Sequence, residues 1–366
     1  MTGPVITGAA AVTALGRDLA STRAALAEGR SAVADVEGQD VPARKDRSPA
    51  ARIVRFSSEP ELPKMKARRL DRASLYAVVA AKQALADAGY AMAGLEERTG
   101  ILLGTGSAGA GPLVELERQM ALESPDAASP FLFPYTVANA PASVTAIELG
   151  IKGPNVTITQ KDAAALNALF WGRMLLADGR ADALLVGAAD EWNLDYHFAY
   201  ERVHATRTAT RAGFVLGEGA ACVLVEEESR ARERGAAVRA RVASVVMRPA
   251  ALSPQVRRAD AGVLAAAMRA ALDEAGVAPS GVGLVHLSRN GVLETDRAEE
   301  AALAAVFAAP PRTAAVKEQL GENPFAGAVQ LALASAELAE RPGAGAVLIN
   351  AFGAGGNFLC AVLRSA

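Results

Sequence analysis

Aromatic side chains make up only 5% of the 366 residues, so any core must be assembled from alanine, valine and leucine. Cysteine occurs twice, as Cys222 and Cys360, each inside an apolar run (AACVLV and FLCAVL). Two such residues give no disulfide framework and read as reduced core thiols of a cytoplasmic protein. Positive charge is not in excess: 38 Lys and Arg stand against 40 Asp and Glu, a net charge of −2 with a pI near 6.1. That lacks the basic footprint of a nucleic-acid binder. No run approaches the roughly 18 apolar residues that would suggest a membrane span. The longest, residues 163–177, is broken by Asn167, Gly172 and Arg173. The N-terminus, MTGPVITGAAAVTALG, has neither a basic n-region nor a clean apolar h-region, so no signal peptide is expected.

Histidine is the scarcest group, with three in the chain. His197 and His204 flank Glu201 at spacings that hint at a metal, but the segment has no helical pattern and no third ligand, so neither a metal nor a cofactor is expected. What is abundant is apolar surface. Hydrophobic residues make up 51%, charged residues 21%, and mean hydropathy is +0.18, enough to bury a large core and to exclude wholesale disorder.

Short β-branched runs alternate with longer Ala/Leu-rich segments, the pattern of an α/β architecture. Strands are predicted at residues 5–7, 101–103, 156–159, 184–186, 222–225, 242–246, 284–287, 347–350 and 358–362. Helices are predicted at 73–88, beginning after Asp71 and stopping at Gly89, and at 263–275 and 324–339. A fourth, at 163–177, is apolar almost all round and therefore expected to be buried, ending at Gly179. Residues 38–63 read as a surface excursion, 202–213 as a loop, and 226–241 as a solvated helix face at the seam between two halves. A weak echo relates 156–177 to 314–339: each is an apolar strand, a loop and an Ala-rich helix.

Three glycine clusters stand out. Gly104-Thr-Gly-Ser-Ala-Gly109 spells GxGxxG, but it follows about a hundred residues of other structure and has no acidic residue closing a second strand, so a strand-to-helix turn is expected, not a dinucleotide site. Residues 352–357 (FGAGGN) between two apolar strands read as a hairpin, and 213–220 (GFVLGEGA) precede the strand holding Cys222.

The order of these pieces resembles the β-ketoacyl synthases of the thiolase superfamily. The resemblance is carried by VITGAAAVTALG, RRLDRASLYAVVAAKQALADAGY, GPNVTIT (153–159), GRADALLVGAADE (179–191), GFVLGEGAA, the KxxxG of Lys317 to Gly321, and NAFGAGGN (350–357). It spans residues 5–362 and implies a five-layered αβαβα fold of two similar halves of mixed sheet. The expected division is residues 1–230 and 231–366.

The resemblance also marks departures. An active ketosynthase needs a Cys at the N-terminus of the buried helix, where the dipole favours a thiolate, and two His residues that promote decarboxylation. By register the Cys position is Asp162, the first His position is Ser288 and the second is Glu322. A carboxylate is a poor nucleophile toward a thioester, and no imidazole stands ready as base. Asp162 could simply cap its helix, and Glu322 could pair with Lys161 or Lys317.

A ketosynthase fold without its nucleophile resembles the chain-length factor (KSβ) of bacterial type II polyketide synthases, although that family usually carries Gln where this chain has Asp162. The resemblance implies a non-catalytic subunit that heterodimerises with an active ketosynthase, meets an acyl carrier protein and shapes the tunnel for a growing polyketide chain. The chain is short for that family, which leans toward polyene-type, highly reducing systems. Pairing across the dimer axis would use Asn155, Val156, Thr157, Ile158 and Thr159, joined by residues 113–137. Pro112, Leu113, Leu116, Met120, Phe131 and Phe133 would line the tunnel or pack the interface. Two alternatives remain: an enzyme with a site rebuilt from Asp162, Glu322, Lys161 and Lys317, or a homodimeric scaffold binding acyl carriers.

Overall fold

The computed structural model describes residues 3–36, 47–93, 96–250, 260–353 and 355–366. Ten strands form one mixed sheet: β1 (Pro4–Thr13), β2 (Thr99–Gly104), β3 (Asn155–Ile158), β4 (Ala183–Asp190), β5 (Gly219–Glu227), β6 (Ala240–Pro249), β7 (Val282–His286), β8 (Arg312–Ala314), β9 (Ala346–Gly353) and β10 (Asn357–Arg364). Their spatial order is β8-β7-β9-β10-β6-β1-β5-β4-β2-β3. The sequence of each half is therefore the same: β3-β2-β4-β5-β1 is repeated as β8-β7-β9-β10-β6. The halves meet where β1 pairs antiparallel with β6 through Val5 and Ile6.

Helices fill three layers around this sheet. The principal ones are α1 (Arg72–Asp87), α2 (Ala110–Leu122), α3 (Ala140–Leu149), α4 (Ala164–Ala177), α5 (Leu194–Arg202), α6 (Ala261–Ala275), α7 (Leu293–Val306) and α8 (Pro324–Glu340). α1 and α3 cover the outer face of the first half, and α6 with α7 covers that of the second. α4 and α8 touch each other and strands of both halves, so they form the central layer of an αβαβα stack. The apolar core divides the same way. One cluster around Leu166, Leu169, Leu331 and Ile349 fills the middle, and two others fill the outer interfaces. Small side chains make this possible: alanines in α4 and α8 let helix backbones approach the sheet closely.

The expected strands are all present, and α1 begins at Asp71, whose carboxylate accepts from Ser74 N. Four expectations need correction. α4 is buried through Leu169, but Trp171 and Met174 in its second half are 45% and 44% exposed. Residues 37–46 of the expected surface excursion lie outside the described residues; beyond them the chain is at the surface only in part, with Val54, Arg55, Ser57 and Glu59 exposed. Ala50–Ala51 pairs with Val33–Ala34 and Leu216–Gly217 in a small three-stranded sheet, and Ser48, Ile53 and Leu62 are buried. The seam is solvated on its helix face, where Ser229, Arg230, Arg232 and Glu233 are exposed, but not throughout. Glu226 and Glu228 are buried, the first paired with Arg234 at 2.5 Å and with Thr7, the second with Arg241 and Arg232. Burying a carboxylate is tolerated only with such partners. Finally, the segment of His197 is helical: Asn193 caps α5 by accepting from Asp195 N and Tyr196 N.

Candidate functional site

After β3 the chain turns through Gln160 into a single 3-10 turn, Lys161–Ala163, which leads into α4. Lys161 has φ 46°, a left-handed backbone that costs a non-glycine residue on the order of 1–2 kcal/mol. The expectation that Asp162 caps the helix fails, because neither the turn nor α4 receives a side-chain cap. Asp162 is half-buried, and its carboxyl meets Glu322. A cap is a local choice; this pairing joins residues distant in sequence.

Glu322 is fixed by its backbone. The helical turn Lys317–Leu320 ends at Gly321, with φ 79°, where a Cβ would fall 2.7 Å from Gly217 N. Glu322 N donates to Val215 O at 2.6 Å and its carbonyl accepts from Gly217 N at 3.0 Å. Its side chain is thereby held inside, and the residue is 4% exposed. Lys317 Nζ donates to Glu322 Oε1 at 3.1 Å, whereas Oε2 is buried without a donor. Burial, reinforced by the Asp162 charge, raises the Glu322 carboxyl well above the usual carboxylate range, with Lys317 opposing only in part. For Lys317 the balance is reversed: burial disfavours the ammonium, but Glu322, Asp162 and Glu299 together hold its pKa above the ordinary value.

Ser288 follows β7 and is buried. Its Oγ accepts from Phe352 N at 2.9 Å, and its own N–H donates to Glu299 Oε1 at 2.9 Å. Glu299 also accepts from Arg289 N and from Asn350 Nδ2, and burial pushes its pKa up to about 7. The β9–β10 hairpin carries this network to the Asp162 turn, since a Cβ on Gly353 would lie 3.2 Å from that of Ala163. Asp162, Glu322 and Lys317 are thus gathered at the N-terminal ends of α4 and α8, with Ser288 and Glu299 beside them. Lys161 is not part of the cluster's ion pair: it donates to Tyr200 OH at 3.2 Å.

The histidines are engaged elsewhere. His197 accepts from Trp192 Nε1 and faces Glu201 at 3.4 Å, and His204 meets Arg211. His286 is buried on β7 with neither ring nitrogen partnered. Among the described residues no group of three or more His, Cys, Asp or Glu could hold a metal. The GxGxxG stretch is the expected turn between β2 and α2, and sequence reasoning missed what holds it. Buried Asp190 accepts from Gly106 N, Ser107 N and Phe325 N, tying the turn to the start of α8. Its only signal was an acid ending an apolar strand.

The remaining candidates lie at one edge. β3 is the last strand of the sheet, paired to β2 alone, with Asn155 and Thr159 exposed, Val156 and Thr157 half-buried and Ile158 buried. Along α2 and the segment after it, Pro112 and Leu116 are buried. Leu113 and Met120 are partly exposed, and Phe131 and Phe133 are 85% and 67% exposed. No helix among the described residues is long and apolar enough to cross a membrane.

Two family models match this chain: Beta-ketoacyl synthase, N-terminal domain, over residues 4–231, and Beta-ketoacyl synthase, C-terminal domain, over residues 240–341. The 3-oxoacyl-[acyl-carrier-protein] synthase 2 of Vibrio cholerae is 30% identical over 313 residues, covering 81% of this chain and 75% of the relative. The solved structure of the ishigamide ketosynthase/chain length factor is similar with a TM-score of 0.89 at 25% identity, covering 100% of this chain and 99% of its own. A type II PKS ketosynthase solved with its acyl-carrier protein (AntDE:AntF) shares the fold, with a TM-score of 0.86 at 20% identity and coverage of 100% and 99%.

Proposed function

Because the chain belongs to the β-ketoacyl synthase family, we propose that it acts as a chain-length factor, a subunit that performs no condensation and pairs with an active ketosynthase of a type II polyketide system. The observation that carries this reading is the buried Lys317–Glu322 pair facing Asp162. The resemblance requires a thiolate and two imidazoles there, and this chain offers carboxyls and a hydroxyl. Neither a carboxylate nor a serine without a base attacks a thioester and holds the acyl group for a second substrate.

Two further observations support the reading. β3 offers an unpaired strand edge, which soluble proteins cover or pair. Leu113, Met120, Phe131 and Phe133 expose apolar surface beside α2, of the kind that marks a protein interface. The partner would cover both, and side chains of this segment would close the far end of its tunnel. An acyl carrier protein would deliver the chain; in the AntDE:AntF complex such a carrier is bound to its ketosynthase. The Vibrio relative is named as a synthase; the proposal rests on the residues at which this chain departs from that chemistry.

Co-expression with an active ketosynthase, followed by incubation with acyl- and malonyl-carrier protein and intact-mass measurement, tests it. The partner should gain the acyl mass and this chain should not. A stable acyl adduct on Asp162, or condensation by this chain alone, would overturn the proposal.

A further inference from the structure

The carboxyl pair has a geometry that capping or ion pairing alone does not explain. Glu322 Oε1 is satisfied by Lys317, but Oε2 is fully buried and receives no hydrogen bond from a donor among the described residues. A buried acceptor without a donor is rare and costly, and the group that it meets is the carboxyl of Asp162. One proton between the two resolves the geometry. It gives Oε2 its partner and leaves a single negative charge against the Lys317 ammonium. Two carboxyls that share one proton form the arrangement by which aspartic proteases activate water. Their accessibility here is unequal: Glu322 and Lys317 are buried, and Asp162 alone is partly exposed.

We propose that Asp162, backed by Glu322 and Lys317, is a hydrolytic site for acyl thioesters on a pantetheine-type arm, releasing chains as free acids. The proposal rests on the chain-length-factor reading only in its choice of substrate class, acyl chains carried as thioesters. The Asp162 carboxylate takes a proton from water as the water oxygen bonds to the thioester carbonyl carbon, whose π electrons move onto oxygen. The carbonyl then re-forms, the C–S bond breaks, and the proton held by Asp162 passes to the departing sulfur. One water is consumed, one acid and one thiol are released, and the pair regains its single shared proton. Glu322 is a positioning residue: it orients Asp162 and, through its own proton, sets the pH range over which the pair carries one charge. No covalent acyl-enzyme is required, so the step is compatible with a chain that cannot be acylated.

The experiment uses the full chain and acyl-N-acetylcysteamine thioesters, with free thiol measured over time in water enriched in oxygen-18. The expected result is thiol release at least tenfold above Asp162→Asn, with the heavy oxygen entering the product acid and none entering the protein in a single turnover. Asp162→Asn is close in shape, and Asp162→Ser serves as a second variant should Asn fail to fold. Glu322→Gln should lower release by less than Asp162→Asn does and should remove the decline at alkaline pH, because Gln can still donate to Asp162 but has no proton to give up there. Equal release by the wild type and both Asp162 variants, or heavy oxygen in the Asp162 side chain, would overturn the proposal. Assembly with a ketosynthase does not enter this readout, so the inference can fail while the pairing holds, and the reverse.

Discussion

Asp162 shows how far a single residue can be read from its neighbours. Its place before an apolar helix predicted a cap, and the register of the family motif placed it at the nucleophile position. The second reading brings it beside Glu322; the first fails, because a cap is local and the decisive contact comes from a buried carboxyl on another loop. The proposed loss of condensation chemistry rests on three positions together. Asp162→Cys alone should therefore give no condensation product in an assay with acyl- and malonyl-carrier protein, since Ser288 and Glu322 still supply no imidazole. Condensation by the single variant would show that the surrounding groups suffice.

His286 gives a prediction of a different kind. Burial lowers its pKa from 6.5 to about 4, with both ring nitrogens unpartnered. The unfolded chain therefore binds a proton that the folded chain refuses between these values. Stability from this group is present above about pH 6.5 and is lost as pH falls toward 4, by on the order of 3 kcal/mol. Nothing in the sequence except its place in a strand, VHLS, pointed to this. Denaturant melts of wild type and His286→Leu across pH 4.5–7.5 check it: the variant should lose less stability on acidification, and parallel curves would contradict the account.

Among the elements, α2 and β3 carry the interface argument. Periodicity and β-branching made the strands and the central helices legible, but the exposure of Phe131 and Phe133 was not, because an aromatic in a loop reads equally well as core. α2 depends on its entry. Gly109 has φ 85°, and a Cβ there would approach the Thr136 backbone at 2.9 Å. Gly109→Ala should cost about 1–3 kcal/mol in a denaturant melt and weaken assembly with a partner more than it weakens the fold. An unchanged melt and unchanged assembly would show that the turn does not position this face. The small sheet formed by Ala50–Ala51 was hidden by its composition, since two alanines in a polar, proline-containing stretch give no periodicity.

At the scale of the whole molecule, the repeat of strand order in the two halves explains the faint echo in the sequence: each strand, loop and apolar helix builds one side of the central layer. The seam is stapled by the Glu226–Arg234 and Glu228–Arg241 pairs, which charge patterning alone presented as solvated. The result is a continuous double sheet that ends at β8 on one side and at β3 on the other, with a partly apolar exposed segment in the first half. The proposed role is that of a subunit that limits the length of a chain grown by a partner ketosynthase. The most direct measurement is the product length from a reconstituted complex carrying substitutions along this segment. Overpacking an apolar wall costs on the order of 1–3 kcal/mol, enough to favour release over another extension. Leu113→Trp or Leu116→Trp should shorten the product and Phe133→Ala should lengthen it, with the condensation rate per round changing far less. Complexes that still assemble but lose all product, or make product of unaltered length, would contradict the account.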